Sequence, residues 1–204
     1  IPADLQRVPI VVNPRDCVPK DYIRGNIKEN MKLIPKDKFI EKCRTHTDHA
    51  IIISGGPNID YKQLRETLDK HPKAFTMCVK HAYPGLIKNN IKPDACILLD
   101  PRSIEGESTH GIKRKDLLKD LDEDTKFLVA SMTDPSVTNY LMEKKADIWG
   151  WHAFTESLRD DEDRKHAIKN NQVKIREDVG LPVGATLITG GTCAAMRAIG
   201  MLHT

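Results

Sequence analysis

Ala50-Ile51-Ile52-Ile53-Ser54-Gly55-Gly56-Pro57-Asn58-Ile59-Asp60 decides the reading of this chain. An apolar run without alternation suits a strand buried on both faces, as in a parallel sheet covered by helices. Gly55 and Gly56 permit a sharp turn and let backbone come close to a ligand. Pro57 ends the strand and fits the first turn of a helix. Tyr61–Lys70 follows with helix-forming composition and with Leu64 and Leu68 four apart. Strand, glycine turn and helix start together make an anion site, because free N–H groups at a helix N-terminus point at the turn. An ordinary tight turn that binds nothing fits the same residues.

Working outward, the alternation repeats. Ala74–Val79 reads as a second strand, His81–Asn90 as a short helix and Ala95–Leu99 as a third strand ending at Asp100-Pro101. His71-Pro72 stops the first helix, since the residue before proline disfavours helical backbone. Lys126–Ala130 and Asp147–Trp151 read as further strands, with helices over 113–122 and 136–144 between them. Ala185–Thr189 is a last short strand. Gly190-Gly191-Thr192 then opens a small-residue helix, Cys193–Leu202, a second candidate anion site. This βαβ order predicts an α/β fold: a doubly wound, mostly parallel sheet with helices on both faces. Residues 1–49 form a helical lead-in, with helices over 21–31 and 36–44. Residues 50–204 form the core. The last helix stops about ten residues in, as in a piece of a longer chain, and Ile1 is not an initiator Met. Phe154–Asn171 is densely charged and reads as a solvated face or a mobile excursion.

The chain has 204 residues, 30% of them charged and 39% hydrophobic, which fits a wet-surfaced α/β domain. No apolar run approaches the roughly 20 residues of a membrane span. Net charge is +3 and aromatics are 5%, so neither a basic stripe nor a stacking platform for nucleic acid is indicated. Five widely spaced cysteines with no CxxC pair argue against a zinc framework and for a reducing, cytoplasmic compartment.

Open α/β sheets hold ligands at the carboxyl ends of their strands. Three loops there carry chemistry: Ser54–Asn58, Lys80-His81 and Asp100-Pro101-Arg102. Asp100 suits a magnesium ligand, a partner for a sugar hydroxyl or a base, and equally a carboxylate that caps the Pro101 turn. Lys80 suits a phosphate, as a point charge, or is a plain surface lysine, and Arg102 suits a carboxylate or phosphate. His81 suits proton transfer or stacking, or a structural bond to backbone. Asn58 suits phosphate, a base edge or a helix cap. His152 follows Trp149-Gly150-Trp151, whose rings read as packing. His46, Asp48 and His49 lack further metal ligands. There is no P-loop motif and no G-x-S-x-G elbow.

Taken in order, Ser54-Gly55-Gly56-Pro57-Asn58, Lys80-His81-Ala82, Asn90-Ile91-Lys92-Pro93-Asp94, Leu98-Leu99-Asp100-Pro101 and Gly190-Gly191-Thr192 form a set. The set resembles the family that holds bacterial motility accessory factors and archaeal 6-hydroxymethylpterin pyrophosphokinase-like proteins. It spans roughly residues 50–202, and its most distinctive part is the pairing of the Pro93-Asp94 turn with the Asp100-Pro101 strand end. The resemblance implies a Rossmann-like core related in fold to sialyltransferases that use a CMP-sugar. It implies Gly55, Gly56, Pro57 and Asn58 around nucleotide phosphates, closed by Gly191 and Thr192, and the strand-end positions of Ser54, Lys80 and Arg102 place them beside that group. Asp100 would sit at the reaction centre or hold a metal, and His81, by its place on the neighbouring strand-end loop, is the second catalytic candidate. Asn58-Ile59 stands where the family pattern has serine–leucine, and Lys80-His81 replaces a small polar loop.

The expected function is a transferase using a nucleotide or nucleotide-sugar donor, foremost a glycosyl transferase of the nonulosonate type. The alternatives are an ATP- and magnesium-dependent pyrophosphokinase of the pterin type and a non-catalytic nucleotide-binding module. The expected partner is a small nucleotide ligand. The acceptor and the oligomeric state are not encoded in any motif.

Overall fold

The computed structural model describes residues 18–40, 49–56, 58–107, 111–154, 186–188 and 202. Its elements in chain order are α1 (Lys20–Leu33), β1 (Ala50–Ile53), α2 (Tyr61–Lys70), β2 (Phe75–Val79), α3 (Tyr83–Lys88) and β3 (Ala95–Leu98). Then come a 3-10 turn (Arg114–Leu118), β4 (Lys126–Ala130), α4 (Pro135–Glu143), β5 (Asp147–Phe154) and β6 (Thr186–Ile188).

The strands form one sheet, and every pairing in it is parallel. The α/β, Rossmann-like reading holds. The described strands lie in the order β1-β2-β3-β4-β5-β6. No reversal of strand order falls among them, so the sheet offers no crevice between diverging halves among the described strands. Parallel strands need long crossovers, and α2, α3, the 3-10 turn and α4 occupy the four crossovers from β1 to β5.

The unalternating apolar runs are buried as expected. All of β3 is buried, and so is β4 after its first residue. Successive residues face opposite sides of a sheet, so both faces are covered. Phe127, Met77, Ile97 and Leu98 are almost wholly enclosed, each contributing on the order of 2 kcal/mol by leaving water. Tyr83 of α3 packs its edge on Phe127, 5.4 Å between centroids. Cys78 and Cys96 are register partners, free and buried. Burial pushes the Cys96 thiol well above its usual range, so it acts as a small hydrophobe.

α1 joins the same core through Ile23 and Ile27. Two of its asparagines fasten strand-end backbone. Asn26 donates to the carbonyls of Pro101 and Met132 at 3.0 and 3.1 Å. Asn30 donates to those of Ser131 and Thr133 at 2.9 and 2.6 Å and accepts from the Thr138 hydroxyl at 2.7 Å.

The helix expected over 36–44 is not formed at its start. Only Lys36–Lys38 turn, as a 3-10 helix, and Phe39 then runs extended, bridged to Gly150 of β5. The Phe39 ring fills the space a Cβ on Gly150 would need, 2.6 Å away, and stacks on His152 at 4.6 Å. Pairing with a sheet edge thus overrides an amphipathic pattern too short to hold a helix alone. Expectations for Pro57, His46, the charged run after Phe154 and Gly190-Gly191-Thr192 fall outside the described residues.

Candidate functional site

Because every pairing is parallel, the carboxyl ends of β1 to β5 share one edge. Ser54, Gly55 and Gly56 lie there, exposed, as does Asn58. Gly55 is pressed against the next loop: a Cβ on it would stand 2.9 Å from the Cβ of His81 and 3.2 Å from Cγ2 of Val79. Nothing comes within 4 Å of the corresponding point on Gly56. One glycine is therefore required for close approach, and the other leaves open space.

The glycine turn does not lead straight into a helix. α2 starts at Tyr61, and its N-cap is Asp60, whose carboxylate accepts from the Gln63 N–H at 3.0 Å. A carboxylate thus fills the place that the strand–turn–helix reading reserved for an anion. Asn58 does not cap this helix.

The charge at the edge is concentrated on Asp100, which is 6% exposed. Lys80 Nζ donates to its Oδ2 at 3.0 Å. Arg102 donates through Nε to Oδ1 at 2.8 Å, through Nη2 to Oδ2 at 3.2 Å and through its backbone N–H to Oδ1 at 3.2 Å. A third cation, Arg114, brings Nε within 3.3 Å of Oδ2. Burial pushes the Asp100 carboxyl up, but the hydrogen bonds from Arg102 and the charge and hydrogen bond of Lys80 outweigh it and hold it at about 2. Asp100 is therefore ionised at neutral pH, with both oxygens engaged.

Lys80 and Arg114 side chains are each 8% exposed, and Arg102 is 37% exposed. Among the described residues, Lys80 and Arg114 alone outnumber the carboxylate they share. Buried cations in excess of their counter-ion are costly, and an anion relieves that cost. Asp134, also a buried carboxylate at this edge, is taken up elsewhere. It caps α4, accepting from Ser136 N–H at 2.9 Å and from the hydroxyls of Ser136 and Tyr22. Its own N–H donates to the Asp100 carbonyl at 3.2 Å.

The structure thus brings Lys80, Asp100 and Arg102 together, and sets His81 against Gly55. Pro57, Gly191 and Thr192 are outside the described residues. His152 is buried against Phe39, and Trp151 donates to the Leu128 carbonyl at 3.0 Å, which agrees with a packing role for the tryptophan. The sequence reading missed Arg114, which begins a 3-10 turn after a charged loop and folds back on Asp100. It also missed the loop after β4, although the strand-end rule that selected the other three loops points there too. Among the described residues no cluster of His, Cys, Asp and Glu is arranged to hold a metal ion, and no helix is long and apolar enough to cross a membrane.

No curated protein matches the chain. Among solved structures, the MAf glycosyltransferase from Magnetospirillum magneticum AMB-1 is similar in fold, with a TM-score of 0.50 at 12% identity over 89% of this chain. The match covers 25% of that protein, so the chain spans about a quarter of its length. The family described as 6-hydroxymethylpterin diphosphokinase MptE-like matches residues 22–199, a span that takes in all but the first two residues of α1, the described parallel sheet and the Asp100 cluster. The chain belongs to the MptE-like family.

Proposed function

We propose that this chain is the donor-binding part of a transferase acting on a nucleotide-activated donor, in the first place a glycosyl transferase that uses a CMP-sugar of the nonulosonate type. The observation that carries this reading is the set of three cations on one buried carboxylate at the carboxyl edge of a parallel sheet. Family membership and a glycosyltransferase-like fold support it.

Asp100, ionised and surrounded, is poorly suited to take a proton. Its part is to gather Lys80, Arg102 and Arg114 so that they meet a phosphate without rearranging. Ser54, Gly55, Gly56 and Asn58 offer backbone and amide donors along the same edge. His81 is the proton acceptor. An acceptor hydroxyl attacks the anomeric carbon of the donor, its proton passes to the His81 imidazole, and the bond from that carbon to the phosphate oxygen breaks. The electron pair leaves with the nucleoside monophosphate.

Asp100 does not fit as a magnesium ligand. Both oxygens face cations, and a dication there would meet three like charges. No step is routed through a metal at this carboxylate. The second reading, transfer of diphosphate from ATP, is favoured by the family's description. In that reading magnesium arrives on the nucleotide's own phosphates.

Thermal-shift titration with CMP, CDP, UDP, ADP and ATP, each with and without magnesium, tests the reading through ligand linkage. Stabilisation by cytidine nucleotides without metal is the expected result. Stabilisation by ATP with magnesium alone selects the second reading. Binding without turnover of any donor leaves a non-catalytic nucleotide module, and no shift with any nucleotide overturns all three.

A further inference from the structure

Arg114 is the group at this edge that neither the motif set nor the family match assigns. Its guanidinium reaches Asp100 from the far end of the loop that follows β3. The loop is closed at its neck by a bridge between Glu107 and Lys113 and by the Arg114 N–H, which donates to the Gly106 carbonyl at 2.9 Å. Nη1 donates to the Ser103 carbonyl at 3.0 Å. Gly106 makes the seat: a Cβ there would stand 2.3 Å from Nη1. Nε, although 3.3 Å from Asp100 Oδ2, is buried without a hydrogen bond of good geometry. A buried, always-charged fork with an unused donor, beside a carboxylate already held by Lys80, is poised for an incoming acceptor oxygen.

We propose that Arg114, seated on Gly106 and set with Lys80 and Arg102 around Asp100, binds the phosphate of the departing nucleoside monophosphate and selects its dianionic form over a phosphodiester monoanion. The proposal rests on the nucleotide reading above and goes further, to the charge state the site is built for. In a CMP-sugar the phosphate is a diester with one negative charge. When the bond to the anomeric carbon breaks, the electron pair stays on the phosphate oxygen and the charge becomes two. Attack of a hydroxyl on the β-phosphorus of ATP does the same to the α-phosphate as AMP leaves. Both readings therefore develop the second charge on one kind of group, a 5′-phosphate. Cations placed where charge grows lower the barrier more than they tighten the ground state.

Calorimetric titration of the whole chain compares CMP and AMP, near pH 8, with their 5′-methyl phosphate esters, which match them in shape but stay monoanionic. Wild type should prefer the monophosphate that it binds over its ester by about tenfold or more. Arg114→Gln should flatten that preference, and Arg114→Lys, which keeps charge but not the fork, should restore part of it. If Arg114→Gln does not fold, Gly106→Ala displaces the same guanidinium and should lower the preference with Arg114 intact. Equal binding of monophosphate and ester by wild type, or an unchanged preference in folded Arg114→Gln, overturns the proposal while the nucleotide reading stands. Binding of neither monophosphate nor ester overturns the proposal, and it overturns the nucleotide reading too when CDP, UDP, ADP and ATP also fail to bind.

Discussion

Asp94 and Asp100 stand at opposite ends of β3. Asp94 precedes it on the amino edge of the sheet. Its Oδ2 accepts from the backbone N–H and the hydroxyl of Thr76 at 2.7 and 2.8 Å, and its own N–H donates to that hydroxyl at 2.9 Å. Its carbonyl accepts from Lys126 N–H at 3.0 Å, so one turn ties β2, β3 and β4 together with neutral donors. Asp100, six residues on, meets three cations instead. The two aspartates are the two halves of the most distinctive motif in the chain. One closes its own hydrogen bonds and finishes the sheet. The other gathers charge that its own single negative charge cannot balance. A motif that reads as one unit therefore divides into a staple and a site.

Truncating each aspartate separates these roles. Asp100→Ala leaves buried cations without their carboxylate and should cost about 3–5 kcal/mol, with nucleotide binding lost. Asp94→Ala leaves two Thr76 donors unpaired and should cost about 1–3 kcal/mol, with nucleotide affinity of the folded protein unchanged. Urea unfolding and calorimetry on the same samples read both effects. Loss of binding in Asp94→Ala with wild-type binding in Asp100→Ala would reverse the assignment.

Acid sharpens the comparison. The Asp100 carboxyl is held at about 2, below its ordinary 3.8. A carboxyl lowered by folding gives stability that is present above its unfolded value and is lost as pH falls toward its folded value. That contribution is on the order of 2 kcal/mol. Wild type should therefore lose stability between about pH 4 and pH 2, and Asp100→Asn should show a flatter profile over the same window. Equal slopes would mean that the cations do not hold Asp100 in its ionised form.

The glycine turn gives the smallest contrast. Gly55→Ala drives a Cβ to 2.9 Å from His81 and should cost about 1–3 kcal/mol. Gly56→Ala meets nothing within 4 Å and should change stability by less than about 0.5 kcal/mol. Similar losses at both would remove the close approach of the β1 and β2 loops from the account.

The parallel sheet was legible because continuous runs such as Ala95-Cys96-Ile97-Leu98 alternate with helical stretches, the pattern of strands buried on both faces under crossover helices. The convergence of Lys80, Asp100 and Arg102 followed from strand direction alone. Arg114 was not legible, since its approach depends on a loop closing at Glu107 and Lys113 and on the missing side chain of Gly106, and neither has a periodic signature. The structural part of α1 was hidden for a related reason. Asn26 and Asn30 look like surface positions on an amphipathic helix, yet both are buried and spend their amides on strand-end carbonyls. Phe39 was misread because its partner, Gly150, lies more than a hundred residues away in the chain.

The central claim is that the cations around Asp100 hold a nucleotide phosphate. Lys80→Met tests it most directly, because it removes one buried charge from a crowded cluster and keeps the length of the side chain. Calorimetric titration of wild type and Lys80→Met with CMP and with ATP plus magnesium should show at least a tenfold loss of affinity, about 1.4 kcal/mol, for the nucleotide that wild type binds, in a variant that unfolds at no lower urea concentration. Undiminished affinity in folded Lys80→Met would contradict the claim.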